Sequence, residues 1–345
     1  MNFLIFCADQ QRSESLGLYG HPLTQTPNYD ALARDATVFE NAFCQSVLCT
    51  PSRCSFLTGL YPHTNGHRSL WHLLRPHEPN LFRSLRSAGY HVAHFGKNDV
   101  WAPGTIPLSL DEYRMPSGAK NSGANPFDVD DPRYYTFLTD PHPGGVDGTM
   151  DAQIVDHACE FLASGSTRGQ PFVCFVPITL PHPPYGPPEP YYSRYRPEDV
   201  PALRPPVAEE ALDSYPAFHR LVREYRRLNE LDEEFFRRIN ALYLGMNEYV
   251  DMLFGRLMDA LDRAGHAEDT TVVVMSDHGD FAGDYGLVEK YHTAHHDCMT
   301  RVPLVIRRPE GEARRVRQPV GLIDLPATIS ELAAIELDYT AHSAS

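Results

Sequence analysis

Short, nearly continuous apolar runs recur along the chain at Phe3–Ala8, Val173–Thr179, Thr271–Ser276 and Val302–Ile306. Runs of that length without alternation fit strands buried on both faces of a sheet. Between them the pattern turns helical. Asn28–Asp35 and Asn80–Ala88 predict short helices, the second stopped by Gly89. The longest helix is predicted from Phe235 to Ala264, with apolar residues at 235, 239, 242, 246, 250, 253 and 257. Those steps of three and four mark one helical face, and Gly265 ends it. Strands alternating with helices predict an α/β fold: a large, mostly parallel sheet flanked by helices on both faces. Residues 101–150, rich in Pro, Gly and Asp, and 181–206, with ten prolines, interrupt the rhythm. They predict surface excursions from a single domain spanning 1–345, not linkers. In such a sheet, ligands bind beyond the carboxyl ends of the strands.

Composition narrows the partners. The 345 residues are 42% apolar and 22% charged, an ordinary globular balance. A formal net charge of −15 argues against nucleic acid, which needs a basic face. It leaves room for a small anion, because a few local cations can dominate a pocket. The apolar run at Phe3–Ala8 is too short for a signal-peptide core, and no stretch reaches membrane-spanning length. Seven irregularly spaced cysteines do not form a disulfide framework. A cytoplasmic protein without membrane partners is expected.

The strand ends carry the chemistry. Asp9-Gln10 follows the first strand, Asp277-His278-Gly279-Asp280 follows the third, and Pro181-His182-Pro183 follows the second. Singly, each has a plain structural reading: a helix cap, a polar turn, a filled loop. Together they put two carboxylates, an amide oxygen and two imidazoles on one sheet edge. Asp9, Gln10, Asp277 and His278 suit a divalent cation, Ca²⁺ or Mg²⁺ by their hard oxygens, with Mn²⁺ left open by the imidazole. Cys44, Cys49 and Cys54 recur every five residues, which is not a zinc-site spacing.

Cys49 opens a predicted helix in "CTPSRCSFLTG", with Pro51 in the first turn. Free backbone N–H groups make that end an anion site, and Arg53 adds a forked cation. Lys97 in "HFGKND" and Lys290 in "GLVEKYH" lie just past predicted element ends, where a solvated lysine is the commoner outcome. As a set, these residues describe a pocket for a tetrahedral oxyanion beside a metal.

The ordered pieces "ADQQ", "LCTPSRCSFLTGLYPH", "FGK", "LPHPPY", "SDHGD", "GLVEK" and "RVPLVIRRP" resemble the type I, formylglycine-dependent sulfatases of the alkaline phosphatase superfamily. The resemblance implies that Cys49 is a precursor, oxidised to formylglycine by a formylglycine-generating enzyme that reads Cys-x-Pro-x-Arg. It implies a metal site, usually calcium, formed by Asp9, Gln10, residue 49, Asp277 and His278. Arg53 would hold the hydrated aldehyde. Lys97, His182 and Lys290 would bind the sulfate oxygens, with His182 or Lys290 protonating the departing alcohol. The substrate implied is a small sulfate ester of a carbohydrate, aryl or alkyl alcohol.

Two departures from the family pattern stand out. Many members carry a histidine two places after the lysine of "GK"; here that residue is Asp99, read either as a replacement base or as a partner that orients Lys97. The chain also ends soon after "GLIDLPATISELAAI", so the family's smaller C-terminal subdomain is expected to be short or absent. A phosphonate monoester or phosphodiester hydrolase on the same scaffold is the nearest rival. A non-catalytic anion- or glycan-binding homologue, its Cys49 left a thiol, is the reading from another class. Segment 63–80 brings His, Arg and Trp side chains close to the nucleophile in sequence. Trp71, between Leu70 and Leu73-Leu74, reads as core in preference to a substrate contact.

Overall fold

The structure is a computed structural model that describes residues 1–345 apart from 168, 209 and 212–214. Eleven strands are found among the described residues: β1 Asn2–Asp9, β2 Thr37–Phe39, β3 Ala42–Phe43, β4 His91–Phe95, β5 Glu112–Arg114, β6 Phe172–Pro181, β7 Thr270–Ser276, β8 Arg301–Val302, β9 Leu304–Arg307, β10 Arg314–Val316 and β11 Val320–Gly321. Eight of them form one sheet in the order β10-β2-β9-β7-β1-β6-β4-β5. Its centre, β7-β1-β6-β4-β5, is parallel throughout, and β9 pairs antiparallel with β7 and β2. β11, β3 and β8 make a separate small sheet.

β1 shows why its run is continuously apolar. Leu4, Phe6 and Ala8 enter one buried cluster, while Phe3, Ile5 and Cys7 enter the cluster on the opposite face. The first cluster is closed by helices Met150–Ala163 and Glu233–Arg263, the second by Cys49–Thr58, Leu81–Ser87 and Leu325–Ala333. Burying both faces of a strand removes its apolar surface from water at roughly 25 cal/mol per Å². A polar side chain buried within such a strand needs a hydrogen-bond partner, as His94 of β4 has.

The predicted long helix spans Glu233–Arg263, its start capped by the Asp232 carboxylate accepting from Phe235 N–H. Helix Leu81–Ser87 is capped in the same way by Asn80. The stretch Val302–Ile306 is not one strand. Pro303 has no N–H to continue a ladder, and the chain changes sheets there, from β8 to β9. Excursion 101–150 carries some structure of its own, including edge strand β5. Helix Met150–Ala163, where it ends, adds to the predicted elements. Thr149 caps it, and Ile154, Val155, Ala158, Phe161 and Leu162 form its apolar face. No helix among the described residues is long and apolar enough to cross a membrane.

Candidate active site

Every element that carries a candidate residue ends at the same edge. Asp9 closes β1, Gly96-Lys97 follow β4, His182 follows β6 and Asp277-His278 follow β7, while helix Cys49–Thr58 begins there. The close approach leaves no room for a side chain at Gly96, where a Cβ would stand 2.2 Å from the Pro177 carbonyl oxygen, at φ +125°. Gly279 is equally confined, its Cβ position lying 1.9 Å from the Cys298 carbonyl oxygen.

Asp9, Cys49, Asp277 and His278 are all buried, and their ligand atoms lie within 4.8 Å of one another. Two ligands on opposite sides of one cation, each about 2.4 Å from it, stand about that far apart. The donor set therefore fits a single ion. His278 Nδ1 lies 3.0 Å from the Gly279 carbonyl oxygen, so Nδ1–H donates there and the Nε2 lone pair faces Cys49 Sγ at 3.3 Å. Burial keeps that imidazole below its usual pKa, hence neutral and able to ligate.

Arg53 braces the two carboxylates, Nε donating to Asp277 Oδ2 at 2.8 Å and Nη2 to Asp9 Oδ2 at 2.9 Å, all fully buried. Its Nη1 is buried with no partner among the described residues. Lys97 Nζ lies 2.5 Å from Asp9 Oδ2, 3.0 Å from Asp99 Oδ2 and 3.8 Å from Cys49 Sγ. Burial pushes the Asp9 carboxyl up, but Lys97 and Arg53 outweigh it and hold the group well below its usual range. Lys290 Nζ donates to Gln10 Oε1 and to His182 Nε2, each at 2.6 Å. His182 Nδ1 sits 2.6 Å from the Pro183 carbonyl oxygen, and burial followed by Lys290 depresses its pKa. Cys49 itself is a poor thiolate: burial raises its thiol to about 12.

All ten candidate residues thus converge, Asp99 through Lys97. Sequence reasoning missed the support around Gln10. Gln10 Nε2 donates to Asp280 Oδ2 at 2.5 Å, and Asp280 Oδ1 accepts from Tyr185 Oη at 2.8 Å and Ala282 N–H at 2.5 Å. An acceptor-only carboxylate behind the amide turns its oxygen toward the centre. The signal was present, since Asp280 is the last residue of "SDHGD", but its partner lies 270 positions away.

Trp71 corrects an expectation. It is 88% exposed, and the buried tryptophan is Trp101, whose Nε1–H donates to His94 Nδ1 at 3.0 Å. Residues around Trp71 form turns, so neighbouring leucines do not define a common buried face; Leu74 is buried while Leu70 is 41% exposed.

A cavity of about 540 Å³ opens beside this centre, with Lys97 and His182 in its wall. Among the described residues its remaining lining comes from excursion 101–150, from Thr179 at the end of β6 and from Pro183 and Pro184 just past it.

Comparison with known proteins identifies relatives of the whole chain. The sulfatase family model matches residues 1–335. The chain is 30% identical to the uncharacterized sulfatase YidJ of Escherichia coli K12, covering 97% of this chain and 68% of that protein. It is 30% identical to mouse iduronate 2-sulfatase, covering 90% of this chain and 59% of that protein. Phosphonate monoester hydrolase SpPMH from Silicibacter pomeroyi superposes with a TM-score of 0.81 at 25% identity, over all of this chain and 75% of that one. Matched by that model over nearly its whole length, the chain belongs to the sulfatase family of the alkaline phosphatase superfamily.

Proposed function

We propose that the protein hydrolyses a sulfate ester, using a formylglycine made from Cys49 and one hard divalent cation, best matched by Ca²⁺. The observation that carries this reading is the pairing of a buried, protonated thiol with a compact oxygen-rich ligand cluster. Neutral sulfur is both a weak nucleophile and a soft ligand; a hydrated aldehyde supplies hard oxygens and hydroxyl nucleophiles in its place. The cation, held by Asp9, Gln10, Asp277 and His278, would polarise the ester's sulfur–oxygen bonds.

The remaining roles belong to the chain's own residues. Arg53 fixes both carboxylates and keeps Nη1 free for a hydroxyl on residue 49. Lys97 and Lys290 place positive charge beside the reacting group, where negative charge grows as the ester bond breaks. His182 receives a hydrogen bond from Lys290 at Nε2, so the pair can pass a proton to the departing alcohol oxygen.

The test runs an aryl sulfate and an aryl phosphonate monoester in parallel on protein bearing formylglycine. Higher kcat/KM on the sulfate is expected. The reverse order would favour the rival, whose support is the SpPMH superposition, and no turnover of either would favour a binding protein.

Asp99 pairs with Lys97, which in turn pairs with Asp9, and this chain supports an orienting role. Asp99→Asn is expected to raise KM and weaken inhibition by inorganic sulfate about three- to tenfold, with a smaller change in kcat. A burst of about one alcohol per active site followed by stalling would instead make Asp99 the proton acceptor.

A further inference from the structure

Three of the thirty basic residues are lysines: Lys97, Lys120 and Lys290. Everywhere else the chain carries positive charge as arginine. Two of the lysines meet in the candidate active site, and the third lines the cavity beside it, together with Lys97 and His182. The chain has 45 acidic residues, yet among the described residues no carboxylate lines that cavity. Of the two ammonium groups in that wall, Lys97 is paired with Asp9 and Asp99, which leaves Lys120 as the unneutralised charge among amide, hydroxyl and apolar side chains, on a protein of net charge −15.

Lys120 is exposed and enters no ion pair among the described residues, so its charge is available to a ligand. Its backbone is not loose. The Lys120 carbonyl accepts from Met150 N–H at 2.9 Å. Asn121 Oδ1 accepts from Asp151 N–H at 2.9 Å, and Asn121 Nδ2 donates to Thr179 Oγ1 at the end of β6. Asp151 completes the clasp by accepting from Thr179 N–H and Leu180 N–H, the latter at 2.7 Å. The loop carrying Lys120 is thereby fastened to the strand that delivers His182. An ammonium on a flexible stem with a fixed base suits an anion whose position varies, which a rigid guanidinium fork does not.

We infer that Lys120 binds a second anionic group, on the alcohol half of the substrate, so that the protein prefers sulfate esters carrying a carboxylate or another sulfate. This rests on the reading of the site as a sulfatase, with Lys97 and His182 at the sulfate end of the same cavity. At about 540 Å³ the cavity lies in the range that holds a sugar-sized ligand.

The experiment compares kcat/KM for para-nitrophenyl sulfate, a hexuronic acid O-sulfate and a hexose disulfate, using formylglycine-bearing wild type, Lys120→Ala and Lys120→Arg. Wild type is expected to prefer a dianionic ester, and Lys120→Ala to reduce that preference about tenfold, chiefly through KM. Lys120→Arg should recover part of it, and added salt should shrink it in wild type. Which dianion gains more identifies carboxylate or sulfate as the second group. A preference that stays within about twofold in Lys120→Ala would overturn the inference. Calorimetry on Cys49→Ala protein separates it from the sulfatase reading. There, Lys120→Ala should weaken binding of the uronic acid sulfate or the disulfate about tenfold more than binding of inorganic sulfate. Equal weakening would overturn the subsite even if no ester is turned over.

Discussion

Protein produced together with a formylglycine-generating enzyme is expected to yield a residue-49 peptide about 18 Da lighter than the cysteine form, and nearly all sulfatase activity should follow that species. Cys49→Ala, or protein in which Cys49 remains a thiol, should lose activity by on the order of 10³-fold or more. The structure gives the reason. Cys49 is 2% exposed and its thiol is held up to about 12, so the thiolate fraction near neutral pH is negligible. Full activity in a sample whose residue 49 is wholly thiol would overturn the mechanism.

On the proposed mechanism, the same burial limits when conversion can happen. Every residue of helix Cys49–Thr58 is buried, Arg53 completely, and Ser52 Oγ donates to the Asp277 carbonyl at 2.6 Å. A modifying enzyme that reads Cys49, Pro51 and Arg53 cannot reach them in the folded chain. Conversion is therefore expected on the nascent or unfolded chain. Adding the modifying enzyme to folded protein should leave the residue-49 mass unchanged, whereas adding it during refolding should not.

The site was legible in sequence because of how a doubly covered sheet is built. Strands buried on both faces are written as uninterrupted apolar runs, so the first polar residues after each run, Asp9, His182 and Asp277, stand out at the carboxyl edge. What lay beyond reach depends on contacts with no local signature. Asp280 and Tyr185 are 95 residues apart, and Asn121 meets Thr179 across 58. The switch at Pro303 was readable from its missing N–H. Trp71 misled because leucines close in sequence share a buried face only within a regular element, and none forms there.

Removing the cation site should have the second large effect. Asp9→Asn and Asp277→Asn are each expected to lower kcat by on the order of 10²–10⁴-fold, with a smaller change in KM, since the cation matters most as charge builds in the transition state. Elemental analysis should find about one Ca²⁺ per wild-type chain and much less in either variant. Each variant carries a further cost, because it removes a charge facing Arg53 in a fully buried pair. Breaking such a pair costs about 3–5 kcal/mol, so each unfolding midpoint should fall as well. Asp280→Asn separates ligation from that loss. Among the described residues the Asp280 carboxylate accepts from Gln10, Tyr185 and Ala282 and does not pair with Arg53, and an amide in its place no longer favours a Gln10 oxygen aimed inward. Cation affinity in Asp280→Asn should fall about 10–100-fold while excess Ca²⁺ restores turnover. Stoichiometric zinc in the wild type, with activity restored by zinc alone, would contradict the hard-cation assignment. Unchanged Ca²⁺ affinity in Asp280→Asn would show that the amide's orientation does not depend on that carboxylate.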